Sequence, residues 1–233
     1  NAFLTMGKEK MSKSLGNILR IREFIDIYGA EVLKYIYVSH HYRSGVEFSD
    51  DLISKSYDEL ERVYLAKSWA EEAAKSNAVA GDGSAWKSVS MKITETLSQV
   101  ENEMMLDLNS PGALGNIFTL IREINRVEAQ APKTAERIEA AKAFLDLIND
   151  KAFEIWNVFG EPSTKMLADI NSRRGKMKGD SGLDDAAIQK LITERNESKK
   201  AKNFARADEI RKDLDAKGIL LVDSPQGTTW KYK

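Results

Sequence analysis

Four segments of this chain carry apolar side chains at intervals of three and four residues, and that repeat restricts the fold more than any other feature. Ile53, Tyr57, Leu60 and Tyr64 share one helical face, as do Val89, Ile93, Leu97, Val100 and Met104. Leu114, Ile117, Ile121 and Ile124 form a third stripe, and Leu145, Ile148, Ala152 and Ile155 a fourth, on a helix expected to run to Phe159. At 3.6 residues per turn each stripe needs a partner surface to bury it. The starts are marked as well. Ser49 ahead of Asp50 and Asp51 offers a hydroxyl cap with two acids at the positive end of the dipole. Asn109-Ser110-Pro111 places proline where the first turn tolerates it. Four such helices with short connections predict an antiparallel bundle over residues 49–160.

The flanks read differently. Residues 1–17 are rich in Gly, Lys and Ser and suggest a loop. Short helical patterns follow at 18–28 and 30–40, parted by Gly29 as a terminator, and then a polar turn at 41–48. Beyond the bundle the periodicity fails over 161–182, which holds Pro162 and the basic run Arg173-Arg174-Gly175-Lys176-Met177-Lys178 and is expected to be a linker. Two further helices are expected at 183–199 and 203–217, the second ended by Gly218, with strands at 219–222 and 228–232. The fold class is therefore mainly α, closing with a small α+β domain at 183–233.

Composition excludes several kinds of chemistry. There is no cysteine, so the chain can form neither a disulfide nor a thiolate metal site. The only histidines are the neighbours His40 and His41, which favour core or RNA-stem contacts over metal ligation. Basic and acidic side chains number 35 and 36, so any affinity for nucleic acid must rest on local clusters. No apolar run approaches the roughly 20 residues of a membrane span. These absences fit a cytoplasmic protein with no membrane partner. A start at Asn1 rather than methionine leads us to expect a piece of a longer protein.

The sharpest chemical signal is Lys10-Met11-Ser12-Lys13-Ser14, with Leu15-Gly16-Asn17 behind it. Lysines on a glycine-bounded loop can close over a triphosphate and neutralise charge as pyrophosphate leaves. The Ser12 and Ser14 hydroxyls can bind phosphate or pin the closed loop. The run resembles the KMSKS signature of class I aminoacyl-tRNA synthetases, which makes Lys10 and Lys13 the catalytic candidates and Lys10, Met11, Ser12, Lys13 and Ser14 the ATP-binding set.

Further stretches narrow the resemblance. Residues 26–35, the run His41-Tyr42-Arg43-Ser44 through Glu47-Phe48-Ser49-Asp50, and the tail from Asn203 to Thr228 are similar to cysteinyl-tRNA synthetases. Met105-Leu106-Asp107-Leu108-Asn109-Ser110-Pro111 is similar to that family's DDFNTP helix start, with Leu106 and Leu108 in place of an acid and an aromatic. The resemblance implies an ATP-dependent activation of cysteine and its transfer to tRNA(Cys). It assigns residues 1–48 to the KMSKS loop and stem-contact region, 49–160 to a tRNA-binding bundle and 183–233 to an anticodon-binding domain. The family's HIGH-type motif and its cysteine-selecting zinc site are expected upstream of this sequence, so the fragment by itself is expected to be inactive and to hold no metal. No feature sets an oligomeric state. Other class I synthetases, a ligase joining cysteine to an amino sugar, and a tRNA-binding module without catalysis are the alternatives. The Asp-Ser-Pro-Gln-Gly-Thr tail argues against the first, and the presence of a carboxy-terminal module, which the amino-sugar ligases lack, against the second.

For anticodon reading the resemblance points to carboxylates, which accept from the exocyclic amines of cytosine and adenine. Asp208 and Asp223 are the candidates, with Phe204 or Trp230 as a stacking surface. Lys199, Lys200, Lys202 and Arg206 are placed to meet phosphate or guanine. Arg43 is a candidate for phosphate on the acceptor arm, and 173–178 for a clamp on tRNA. Without the resemblance, residues 183–233 would also suit a helix–hairpin domain with ordinary surface charges and a core tryptophan.

Overall fold

The computed structural model describes residues 4–6, 9–10, 20–177, 185–201, 203–224 and 227–232. It separates into two compact units, Asn1–Leu167 and Ala168–Lys233.

The first unit opens on a three-stranded sheet. β1 (Leu4–Met6) runs antiparallel to β2 (Glu9–Lys10), with Thr5 opposite Lys10, and parallel to β3 (Val46–Phe48), with Leu4 opposite Val46. Parallel neighbours need a long crossover. Here α1 (Ile21–Tyr28) and α2 (Ala30–Val38) supply it. Gly29 parts them at φ 93°, a conformation that excludes most side chains, and its N–H closes on the Ile25 carbonyl at 2.8 Å. Residues 46–48 were expected to belong to a turn. They form a strand whose Val46 and Phe48 are buried, an alternation too short to register as a period.

The bundle follows its stripes. α3 (Asp50–Ala73) is capped by Ser49, whose hydroxyl accepts from the Leu52 N–H at 3.2 Å. α4 (Ser84–Met105) and α5 (Ser110–Glu128) form a helical hairpin, and the Asn109 side chain caps α5 through the Gly112 N–H at 3.2 Å. α6 (Ala135–Asp146) packs across α3 and α4. Tyr57, Leu60, Tyr64, Trp86, Ile117, Leu120, Ile124, Phe144 and Ile148 are fully buried between these helices.

The fourth stripe needs correction. α6 passes into a π-helical segment, Leu147–Ala152, and then α7 (Phe153–Trp156), and the chain leaves the helix at Asn157. The wider π turn advances the buried face to Ile148, Ala152 and Trp156. Ile155, expected inside, is 40% exposed.

Past α7 the backbone turns sharply, with Asn157 and Phe159 at positive φ. Two buried charges hold this turn. Glu31 accepts from the Phe159 N–H at 2.6 Å and the Tyr64 hydroxyl at 2.7 Å, and Lys67 donates to the carbonyls of Phe159 at 2.9 Å and Glu161 at 2.7 Å. Within the 161–182 stretch expected to be a linker, α8 (Ser163–Met177) forms. Its buried positions are Ser163, Met166, Ile170 and Arg174, and a serine and an arginine on the stripe break the apolar pattern that sequence reading relies on.

The second unit continues with α9 (Asp185–Lys200), α10 (Phe204–Ala216) and a hairpin of β4 (Ile219–Ser224) and β5 (Gly227–Tyr232). Gly218 turns the chain from α10 into β4 at φ 75°. Ile188, Ile192, Ile210, Leu214, Ile219 and Leu221 make the core, with Leu191 and Trp230 packed against it. The fold is thus mainly α, a helical bundle and a small α+β unit.

Candidate nucleic-acid interface

In the second unit three elements bring charged side chains to one place. On α9, Ile188, Ile192 and Arg195 recur at four and three residues, so an arginine occupies a core-facing position. On β4, Ile219 and Leu221 point into the core, and the period of two puts Asp223 on the same face at the strand end. There Arg195 and Asp223 meet. Both terminal nitrogens of Arg195 donate to Asp223, Nη1 to Oδ1 at 2.9 Å and Nη2 to Oδ2 at 2.8 Å. Oδ1 also accepts from the Thr228 hydroxyl at 2.7 Å, and Oδ2 from Lys199 Nζ at 3.1 Å. Thr228 stands opposite Asp223 in the hairpin register.

The electrostatics follow from this geometry. The hydrogen bonds from Arg195, then Thr228, then Lys199 hold the Asp223 carboxyl far below the usual carboxylate range, against the opposing effect of burial. Arg195 is 2% exposed, whereas the Asp223 side chain is 47% exposed. The ion pair therefore runs from the core to the surface. Asp223 was expected to accept from base amines. In this structure both oxygens are already engaged twice, and Lys199, 41% exposed, is the donor on the open side.

Asp208 lies on α10 one turn after Phe204, and both are exposed. Its carboxylate makes no hydrogen bond among the described residues, yet its charge reaches Arg195: after the bond to Asp223, Asp208 adds to the forces raising the guanidinium pKa. Of the two proposed stacking rings, Phe204 is 62% exposed, while Trp230 lies opposite Leu221 and packs on the core. Arg206 is held by Glu194 at 2.7 Å and Glu209 at 2.8 Å, so its charge is spent within the unit. Lys200 is exposed, and Lys202 lies outside the described residues.

The first unit holds the other candidates. Lys10 stands in β2 beside Thr5, while Met11, Ser12, Lys13 and Ser14 lie outside the described residues. Arg43, 67% exposed, donates from Nη2 to Asp107 at 3.0 Å and from Nε to the Tyr42 hydroxyl at 2.9 Å. Tyr42 in turn donates to Asp107 at 2.6 Å and stacks on His41, 4.9 Å between ring centres. Asp107 and Leu108 both have positive φ, the helix starts at Ser110 within the expected Asn109-Ser110-Pro111 run, and Asp107 turns toward Arg43. His40 Nδ1 lies 2.8 Å from the Ile36 carbonyl and serves the helix end.

Comparison with known proteins adds a separate line of evidence. The family model for the class I (C) tRNA synthetase catalytic domain matches residues 1–58, and that for the DALR domain matches residues 99–151. The cysteine–tRNA ligase of Geobacter sulfurreducens is 37% identical over 237 residues, a match covering the whole chain and 47% of that protein. Those of Geotalea uraniireducens and Halalkalibacterium halodurans are 35% and 37% identical, with 48% and 44% of their lengths covered. Over its whole length the chain is similar to cysteine–tRNA ligases. It spans about half the length of the curated relatives it matches.

Within the second unit, Arg195 is the residue that sequence reading missed. The available signal was an arginine in register with Ile188 and Ile192, where an aliphatic residue is expected. Among the described residues no helix is long and apolar enough to cross a membrane, and no group of three or more His, Cys, Asp or Glu could hold a metal ion.

Proposed function

We propose that the chain is part of an enzyme that activates cysteine with ATP and transfers it to tRNA(Cys), and that this part supplies the ATP loop and the tRNA-binding surfaces. The observation that carries the tRNA reading is the joining of Arg195 and Lys199 on Asp223 at the surface of the second unit, which also exposes Asp208 and the ring of Phe204 on one turn of α10. An exposed ring offers a stacking platform to an unpaired base, carboxylates accept from base amines, and Lys199 and Lys200 meet phosphate. In this reading the second unit recognises the anticodon. In the first unit, Arg43, oriented by Asp107, contacts the tRNA backbone. The cytoplasm, where tRNA is charged, is the proposed location.

Lys10 and Lys13 are assigned to the nucleotide. A lysine there acts most strongly when charge develops between the α-phosphate and departing pyrophosphate. Zinc enters no step of this proposal, since a chain without cysteine offers no thiolate for it.

Two experiments test the reading. Titrating the full chain with tRNA(Cys) transcripts bearing single anticodon changes should show base-dependent affinity, and equal affinity for every variant would refute anticodon recognition. In a protein that includes the rest of the relatives' length, Lys13→Ala should slow cysteine activation roughly 100- to 1,000-fold in single turnover while ATP affinity changes much less. A variant that only weakened ATP binding would make Lys13 an anchor instead.

A further inference from the structure

Arg195 is costly where it stands. Its side chain is buried among the apolar residues of α9, β4 and their neighbours, and its Nε has no hydrogen-bond partner among the described residues. An unpaired buried donor destabilises a fold, and buried ion pairs often exchange for apolar side chains without loss. Packing alone would be served by leucine or methionine, which would extend the stripe of Ile188 and Ile192. What an apolar residue cannot do is fix a carboxylate. The planar guanidinium grips both oxygens of Asp223 from below and cannot swing away, because the core surrounds it. Thr228 fixes the same carboxylate from the partner strand. Thr228 is partly exposed but sits on a short side chain fixed by the partner strand, whereas Lys199, on a flexible stem and 41% exposed, is the donor a ligand can displace by moving one side chain.

We propose that Arg195 is a positioning residue for RNA recognition: it holds Asp223 in one orientation, so that a nucleobase amine replaces the Lys199 ammonium on Oδ2 while Lys199 moves to an acceptor or phosphate of the same nucleotide. The site thus consists of a rigid acceptor backed by a buried cation and a mobile cation in front. The RNA edge that fits it presents an amine beside an acceptor or a phosphate.

This inference rests on the anticodon reading above, and the test separates the two. Affinities of the full chain for tRNA(Cys) transcripts with each anticodon base changed are measured for the native chain, Arg195→Met, Asp223→Asn and the double variant. Arg195→Met should fold, because Asp223 is half-exposed and can turn to water. It should lose roughly tenfold or more in discrimination at one anticodon base, the scale of a good bidentate contact. The double variant should discriminate no worse than Asp223→Asn alone, since Arg195 acts through that carboxylate. Arg195→Lys keeps the charge without the fork and should lie between; if Arg195→Met does not fold, a loss of discrimination in Arg195→Lys supports the proposal and native discrimination overturns it. Unchanged discrimination in Arg195→Met, or additive losses in the double variant, likewise overturns the positioning role. A native chain that distinguishes no anticodon variant fails earlier, at the function itself.

Discussion

Lys67 in the first unit and Arg195 in the second are both buried cations, and the two are built for different purposes. Lys67 in the first unit is 3% exposed and donates to two backbone carbonyls, of Phe159 and Glu161. Arg195 in the second is equally buried, but its acceptor is a carboxylate half in solvent. A compact ammonium suffices to gather two carbonyls around a tight turn, whereas a planar fork is needed to orient a carboxylate. Burial acts on Lys67 as expected for an ion among weak dipoles: desolvation lowers its pKa. For Arg195 the bond to Asp223 outweighs desolvation and raises it. The lesson is that burial of a charge does not by itself mark a functional residue. What it is bonded to, and whether that partner faces solvent, separates a staple from a presenting device.

Three measurements can break or sharpen this contrast. The largest effect is expected from Lys67→Met. It leaves two carbonyls of the 157–161 turn without donors and removes the cation near Glu31, Glu71 and Glu161. A loss of about 3 kcal/mol is expected, the scale of a broken buried polar network. Urea unfolding followed by the fluorescence of the first unit's tryptophans would measure it, and a native-like midpoint would deny the staple.

Arg195→Met should behave oppositely, changing the stability of the second unit by less than about 1 kcal/mol, because an apolar residue completes the stripe and Asp223 can hydrate. Hydrogen exchange of the α10 amides reads this directly. A loss as large as that in Lys67→Met would make the two cations equivalent and erase the distinction.

The smallest effect concerns acid. The folded-state pKa of Asp223 is depressed, so its contribution is present above the unfolded carboxyl value of about 4 and is lost as pH falls below it. The stability gap between the native chain and Asp223→Asn should therefore be widest near neutrality and narrow as pH falls from about 4 toward 2. Parallel acid titrations of the two proteins test this; a gap independent of pH would mean that the Arg195 bond adds nothing specific to the ionised form.

Much of the architecture follows from interactions within a few residues, and that part is legible in the sequence. The Ser49 and Asn109 caps, the Gly29 and Gly218 breaks and the stripes of α3, α4 and α5 depend on neighbours one turn away, so residue type and spacing determine them. The KMSKS run and the tail motifs likewise carry the resemblance to cysteinyl-tRNA synthetases before any coordinates. Contacts across longer spans were decided only by the tertiary structure. β3 exists because β1, some forty positions earlier, pairs with it. The π segment shifts the last stripe so that Trp156, not Ile155, meets the core. Asp223 reads in sequence as an acceptor, and becomes a clamped one because the hairpin carries it 28 positions back to Arg195. Side-chain periodicity reports which face a residue occupies; which group it finds there depends on how distant elements pack, and no local pattern encodes that.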